Sequence, residues 1–133
     1  MRALVVGVLC AVALAGCGQL QNVTVEQIRT PDHLRKSGTI EKSISQIQQS
    51  LYDYGDKCRS PRGQITVNPS DHRKARVTSY MDGLTKDSAA LLIELNQVGD
   101  TLTEYQGYTY YSNWTKILEQ ILYIMEGGLD CDK

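Results

Sequence analysis

The chain has 133 residues, with 14 Lys plus Arg against 15 Asp plus Glu and a formal net charge of −1 at pH 7. This near-balance excludes nucleic-acid binders that work by a marked basic excess, because displacing counterions from phosphates needs one. The length suits one domain with a single core and leaves too little for two.

In chain order, Met1 and Arg2 open a run from Ala3 to Gly16 that carries no charge, a cationic start followed by an apolar segment of signal-peptide length. A bilayer-spanning helix needs about 20 apolar residues, and here polarity returns at Gln19, Gln21 and Asn22. Residues 1–16 therefore read as a removed signal peptide. The run closes with Leu14-Ala15-Gly16-Cys17. These four residues resemble the lipobox of bacterial lipoprotein precursors, which is Leu, two small residues and the modified Cys.

The resemblance covers residues 1–17 only, and it implies an export route and an anchor, not an activity. In that class the Cys17 thiol receives a diacylglyceryl group, a peptidase cuts between Gly16 and Cys17, and in many bacteria the new amino group is acylated too. Two or three chains of the palmitate kind, at about 0.8 kcal/mol per buried methylene, give lasting membrane attachment. In Gram-negative members, Asp after the cysteine retains the protein at the inner membrane. Gly18 stands there in this chain, so for a Gram-negative source the resemblance implies an outer-membrane anchor with the domain facing the periplasm.

Loss of residues 1–16 removes Arg2 and Cys10, which leaves the mature chain one unit more acidic. With Cys17 acylated, Cys58 and Cys131 remain, and outside the cytosol such a pair is expected to form a structural disulfide. Closing a loop of roughly seventy residues stabilises by about 4 kcal/mol in the chain-entropy model. A zinc site needs further ligands, and His33 and His72 stand alone without ligand spacing, so no metal and no cofactor are expected.

From Gly18 to Gly38 the sequence is polar and unpatterned, with Pro31 in its middle. Residues 17–38 read as a lipidated N-terminus and flexible tether, and a short helix around Val25 to Arg29 is compatible with the sequence without being demanded by it. The domain is placed at 39–133. Ile40, Ile44, Ile47, Leu51 and Tyr54 follow the spacing of an amphipathic helix, with Thr39 to cap it and Gly55 to stop it. The period then changes to two: Ile65 and Val67, then Ala75, Val77, Ser79 and Met81, then Leu91, Ile93 and Leu95. A turn is expected from Asp82 and Gly83 through Lys86 and Asp87, and another around Gly99. Thr101 to Tyr111, rich in Thr and Tyr, makes a last strand. Ser112 caps a second helix whose apolar side is Trp114, Ile117, Leu118, Ile121, Leu122 and Met125, ending at Gly127-Gly128. The expected fold is α+β: a small two-layer domain with an N-terminal helix, an antiparallel meander of three to four strands and a C-terminal helix, both helices on one face.

Catalytic patterns are not recognisable: the histidines lack a nucleophile–base arrangement, and there is neither a Gly-x-Ser-x-Gly elbow nor a glycine-rich phosphate loop. Asp53 with Asp56 and Glu94 with Glu104 are carboxylate pairs of a kind common on solvated surfaces. Arg59, Arg62, His72, Arg73, Lys74 and Arg76 concentrate positive charge that a partner or a lipid phosphate could use; a solvated loop and a charged strand edge is the simpler account. Tyr105, Tyr108, Tyr110 and Tyr111 precede Trp114, and alternation places Tyr108 and Tyr110 on one face with Tyr105 and Tyr111 on the other. One pair must then leave the helix-covered side, as an exposed binding surface or through ordinary two-sided packing.

The expected function is that of a non-enzymatic envelope lipoprotein, held to the membrane by acyl chains on Cys17, whose domain binds another envelope protein. Accessory proteins, pilotins, immunity proteins and exclusion lipoproteins work in this way. The alternative is a glycan- or lipid-binding module that uses the open sheet face with Tyr108 and Tyr110.

Overall fold

A computed structural model describes residues 23–80 and 89–133. The expected signal peptide, the expected acylation site Cys17 and the expected turn through Lys86 and Asp87 fall outside the described residues. The strand β4 (Ala89–Gly99) is the longest and the central one, and its first half is buried on both faces. It pairs antiparallel with β3 (Lys74–Tyr80) on one side and β5 (Leu102–Thr109) on the other. With β2 (Gln64–Val67) and β1 (Leu34–Ile40) at the edges, the order is β1-β5-β4-β3-β2, antiparallel throughout. The domain is α+β, with five strands among the described residues where the sequence led us to expect three to four, and with three α-helices among them.

Two of those helices, α2 (Ile44–Cys58) and α3 (Thr115–Met125), pack on the same face of the sheet. Ile44, Ile47, Leu51 and Tyr54 from α2 and Leu118, Ile121, Leu122 and Met125 from α3 meet Val77, Leu91, Ile93 and Leu95, the residues that period-two alternation sends to one side. The chain leaves the sheet at edge strand β1, crosses this face as α2 and re-enters at the opposite edge as β2. Gly107 sits directly beneath Leu118 of α3: a Cβ there would lie 2.8 Å from Leu118 Cδ1.

The ends of the helices differ from expectation. Ile40, which completes the helical spacing, is the last residue of β1, and Ser43 rather than Thr39 caps α2. Ser43 Oγ accepts from Gln46 N at 3.2 Å, Gln46 Oε1 accepts from Ser43 N at 2.9 Å, and Gln97 Oε1 of β4 accepts from Ile44 N at 3.0 Å. Gly55 does not stop the helix, which continues to Cys58 and ends on Arg59 in the left-handed region at φ 52°. Ser112 opens a 3-10 turn (Ser112–Trp114) rather than α3, its carbonyl accepting from Thr115 Oγ1 at 2.7 Å. The β4 strand runs through Gly99, so the turn is Asp100 and Thr101.

The tether is the largest correction. From Val23 onward the segment belongs to the domain: α1 (Val25–Ile28), a 3-10 turn (Pro31–His33) and then β1, which pairs with β5 from Leu34 opposite Tyr108 to Ile40 opposite Thr103. As an edge strand that is mostly exposed, β1 has no alternation to read until the buried Ile40. Pro31 starts a tight turn, which its fixed φ and missing N–H permit.

Cys58 and Cys131 form a disulfide, with Cα atoms 5.5 Å apart and a sequence separation of 73. The tail after α3 returns to the last turn of α2, where Lys57 Nζ donates to Leu129 O at 2.9 Å. Lys36 of β1 reaches Glu119 of α3 at 2.9 Å, and the hydrogen bond to this carboxylate, with its charge, holds the Lys36 ammonium's pKa above the ordinary lysine value. Both partners are exposed, so the pair adds little to stability.

Gly107→Ala should lower the unfolding free energy by about 1 to 3 kcal/mol, because the added methyl would press on the fully buried Leu118 and force it to shift within the core. Urea denaturation checks this. Replacing Cys58 and Cys131 together by Ser should cost about 4 kcal/mol in the same measurement.

Candidate functional site

The sheet has a second face, and its residues fall into rows that run across the strands. One row is Thr78, Leu92 and Tyr108, the next Thr66, Arg76, Glu94, Gln106 and Ser37, and the next Lys74, Asn96, Glu104 and Thr39. The first is apolar at its centre and the other two are polar, so only the first needs a cover. That cover is the N-terminal segment: Val23 and Ile28 pack on Ala89, Leu92 and Tyr108, and Ala89 N donates to Val23 O at 2.9 Å. Thr24 caps α1 reciprocally with Gln27, whose Oε1 accepts from Thr24 N at 2.8 Å. Arg29, just past α1, forms an ion pair with Glu94 where the cover ends.

Beyond Arg29 the two polar rows form the floor of an open groove of about 860 Å³. Cations stand on one side, Lys74 and Arg76 of β3, and the carboxylate of Glu104 on the other, on β5. Two strand spacings separate these sides, about 10 Å. Glu94 between them is taken by Arg29, while Lys74, Arg76 and Glu104 have no ion-pair partner among the described residues. Ser37, Thr39, Thr66, Asn96 and Gln106 add neutral donors and acceptors.

The residues singled out from the sequence are dispersed. Tyr108 is on the face opposite α2 and α3, as alternation requires, but it is only 8% exposed under α1, with its hydroxyl donating to Gln106 Oε1 at 3.0 Å. Tyr110 is half-buried, with His33 5.0 Å away ring to ring and Tyr111 edge-on at 4.9 Å. Arg59 and Arg62 are exposed in the loop between α2 and β2, near the disulfide. Arg73 is exposed in the β2–β3 turn, at the other end of that hairpin, with its carbonyl accepting from Gln97 N at 2.7 Å. The basic cluster is thus split in two, and of its members Lys74 and Arg76 reach the groove.

Sequence reasoning passed over Glu94, Asn96, Glu104 and Gln106 as a group, although a signal was present. Each alternates with a core residue, Leu95 or Tyr105, so all four share the face that carries Arg76. Among the described residues no group of three or more His, Cys, Asp or Glu is placed to hold a metal ion, and no helix is long and apolar enough to cross a membrane. Compared with known protein families and with curated protein sequences, the chain matches none.

Ile28→Ala should cost about 2 to 4 kcal/mol, the range for truncating an enclosed isoleucine, and should speed amide exchange at Ala89. Denaturation together with hydrogen exchange reads both effects.

Proposed function

We propose that this chain is a lipid-anchored envelope lipoprotein of bacteria whose domain binds another envelope protein, without catalysis, through the groove on the sheet. The observation that carries the binding reading is the division of charge across that groove, Lys74 and Arg76 facing Glu104 with no ion-pair partners of their own among the described residues. A partner of inverse polarity would neutralise both sides at once, and such complementarity fixes register and speeds encounter. The anchor reading rests on Leu14-Ala15-Gly16-Cys17, and the Cys58–Cys131 bond fits an oxidising compartment outside the cytosol.

A glycan or lipid platform built on Tyr108 and Tyr110 finds less support. The chain's own Val23 and Ile28 occupy the Tyr108 ring, and His33 and Tyr111 flank Tyr110.

Two experiments test the proposal. A Cys17→Ser variant should lose acylation and leave the membrane fraction; continued pelleting with washed membranes would remove the anchor. Replacing Lys74 and Arg76 together by Glu should lower capture of the partner from detergent-solubilised membranes at least about tenfold, which corresponds to roughly 1.4 kcal/mol. An unaltered set of captured proteins would rule out the groove.

A further inference from the structure

The folded N-terminal segment fixes where a lipid anchor must leave the domain. Val23 is held at Ala89, the first residue of β4, and five residues, 18–22, separate it from Cys17. Six Cα steps span at most about 20 Å, so the start of β4 cannot stand far from acyl chains on Cys17. The same end of the sheet holds the start of β1, the end of β5 and the start of β2: Leu34, Leu92, Thr78 and Gln64 lie in one cross-strand row with Tyr108.

Two large apolar side chains are exposed there, Leu34 at 38% at the start of β1 and Tyr111 at 44% two residues past the end of the neighbouring β5. Arg59 and Arg62, exposed between α2 and β2, belong to this end as well, because α2 runs back along the sheet from the far end of β1. We infer that this end of the domain rests on the bilayer surface, with Leu34 and Tyr111 entering the interface and Arg59 and Arg62 donating to lipid phosphates. Asp130 and Asp132, exposed next to Cys131, keep the end from being strongly cationic, so the apolar side chains and the anchor supply the attraction and the arginines direct it. The inference rests on the acylation of Cys17 proposed above, and it leaves the charged groove on the half of the sheet away from the lipid.

The single tryptophan, Trp114, lies just past the end of β5 and reports on this end. The acylated full chain is reconstituted into phosphatidylethanolamine–phosphatidylglycerol vesicles containing dansyl-labelled headgroups, and energy transfer from Trp114 to dansyl is measured. A second reporter, Leu102→Trp in a Trp114→Tyr background, sits at the other end of β5, about 24 Å along the strand. Transfer should be severalfold more efficient from Trp114; equal or weaker transfer than from position 102 overturns the inference. Replacing Leu34 and Tyr111 together by Ser should lower transfer from Trp114 while acylation, read by mass spectrometry, is unchanged, and an unchanged transfer overturns the assigned contact. Mass spectrometry that finds the wild-type chain unmodified at Cys17 sinks the anchor reading itself, and this inference with it.

Discussion

Burial of the first half of β4 on both faces is the constraint from which the rest of the architecture follows. Leu91 and Ile93 turn toward α2 and α3, but Leu92 turns the other way, and a central strand with apolar residues on both sides needs two covers. A domain of this length has two long helices to spend, and both go to one face. The second face is closed with what is left, the chain ahead of β1, and only as far as the apolar row extends. Where Leu92 gives way to Glu94, the cover ends in an ion pair and the open groove begins. The groove and the folded N-terminal segment are two results of one change along β4, from apolar to polar on the side away from the helices.

The parts that were legible in the sequence are those whose burial is one-sided. Ile44, Ile47, Leu51 and Tyr54 repeat at helical spacing because α2 shows one stripe to the core, and Ala75 and Val77 alternate with Lys74 and Arg76 because one face of that stretch of β3 meets the helices while the other lies open. The Cys58–Cys131 pairing followed from counting thiols once Cys17 was assigned to lipid. β1 was illegible for the opposite reason. An exposed edge strand gains its order from hydrogen bonds to β5, and backbone hydrogen bonds leave no hydrophobic period to read.

The treatment of Tyr108 shows the same limit from another side. Alternation placed it correctly on the face away from the long helices, yet alternation says nothing about what else might cover that face. The covering residues, Val23 and Ile28, are five apart in a polar stretch and look incidental until Leu92 and Tyr108 are seen beneath them. The groove was missed because its charges come from three separate strands. Lys74 and Arg76 were noticed as part of a basic run, but Glu104 becomes their counterpart only when β3, β4 and β5 are laid side by side.

The position of the disulfide bears on how the domain would respond to tension. The covalent ring runs from Cys58 to Cys131 and contains β2 through α3, while α1, β1 and α2 up to its last residue lie ahead of it. A load applied to the chain before Val23 first lifts α1 from Leu92 and Tyr108, then opens the β1–β5 pairing one bond at a time from Leu34. Extension of the ring itself is barred until a sulfur–sulfur bond breaks. A pulled domain would therefore lengthen at its N-terminal margin while its four-stranded meander keeps a fixed contour, so the first yielding step exposes the apolar row beneath α1 and leaves β2 to β5 paired.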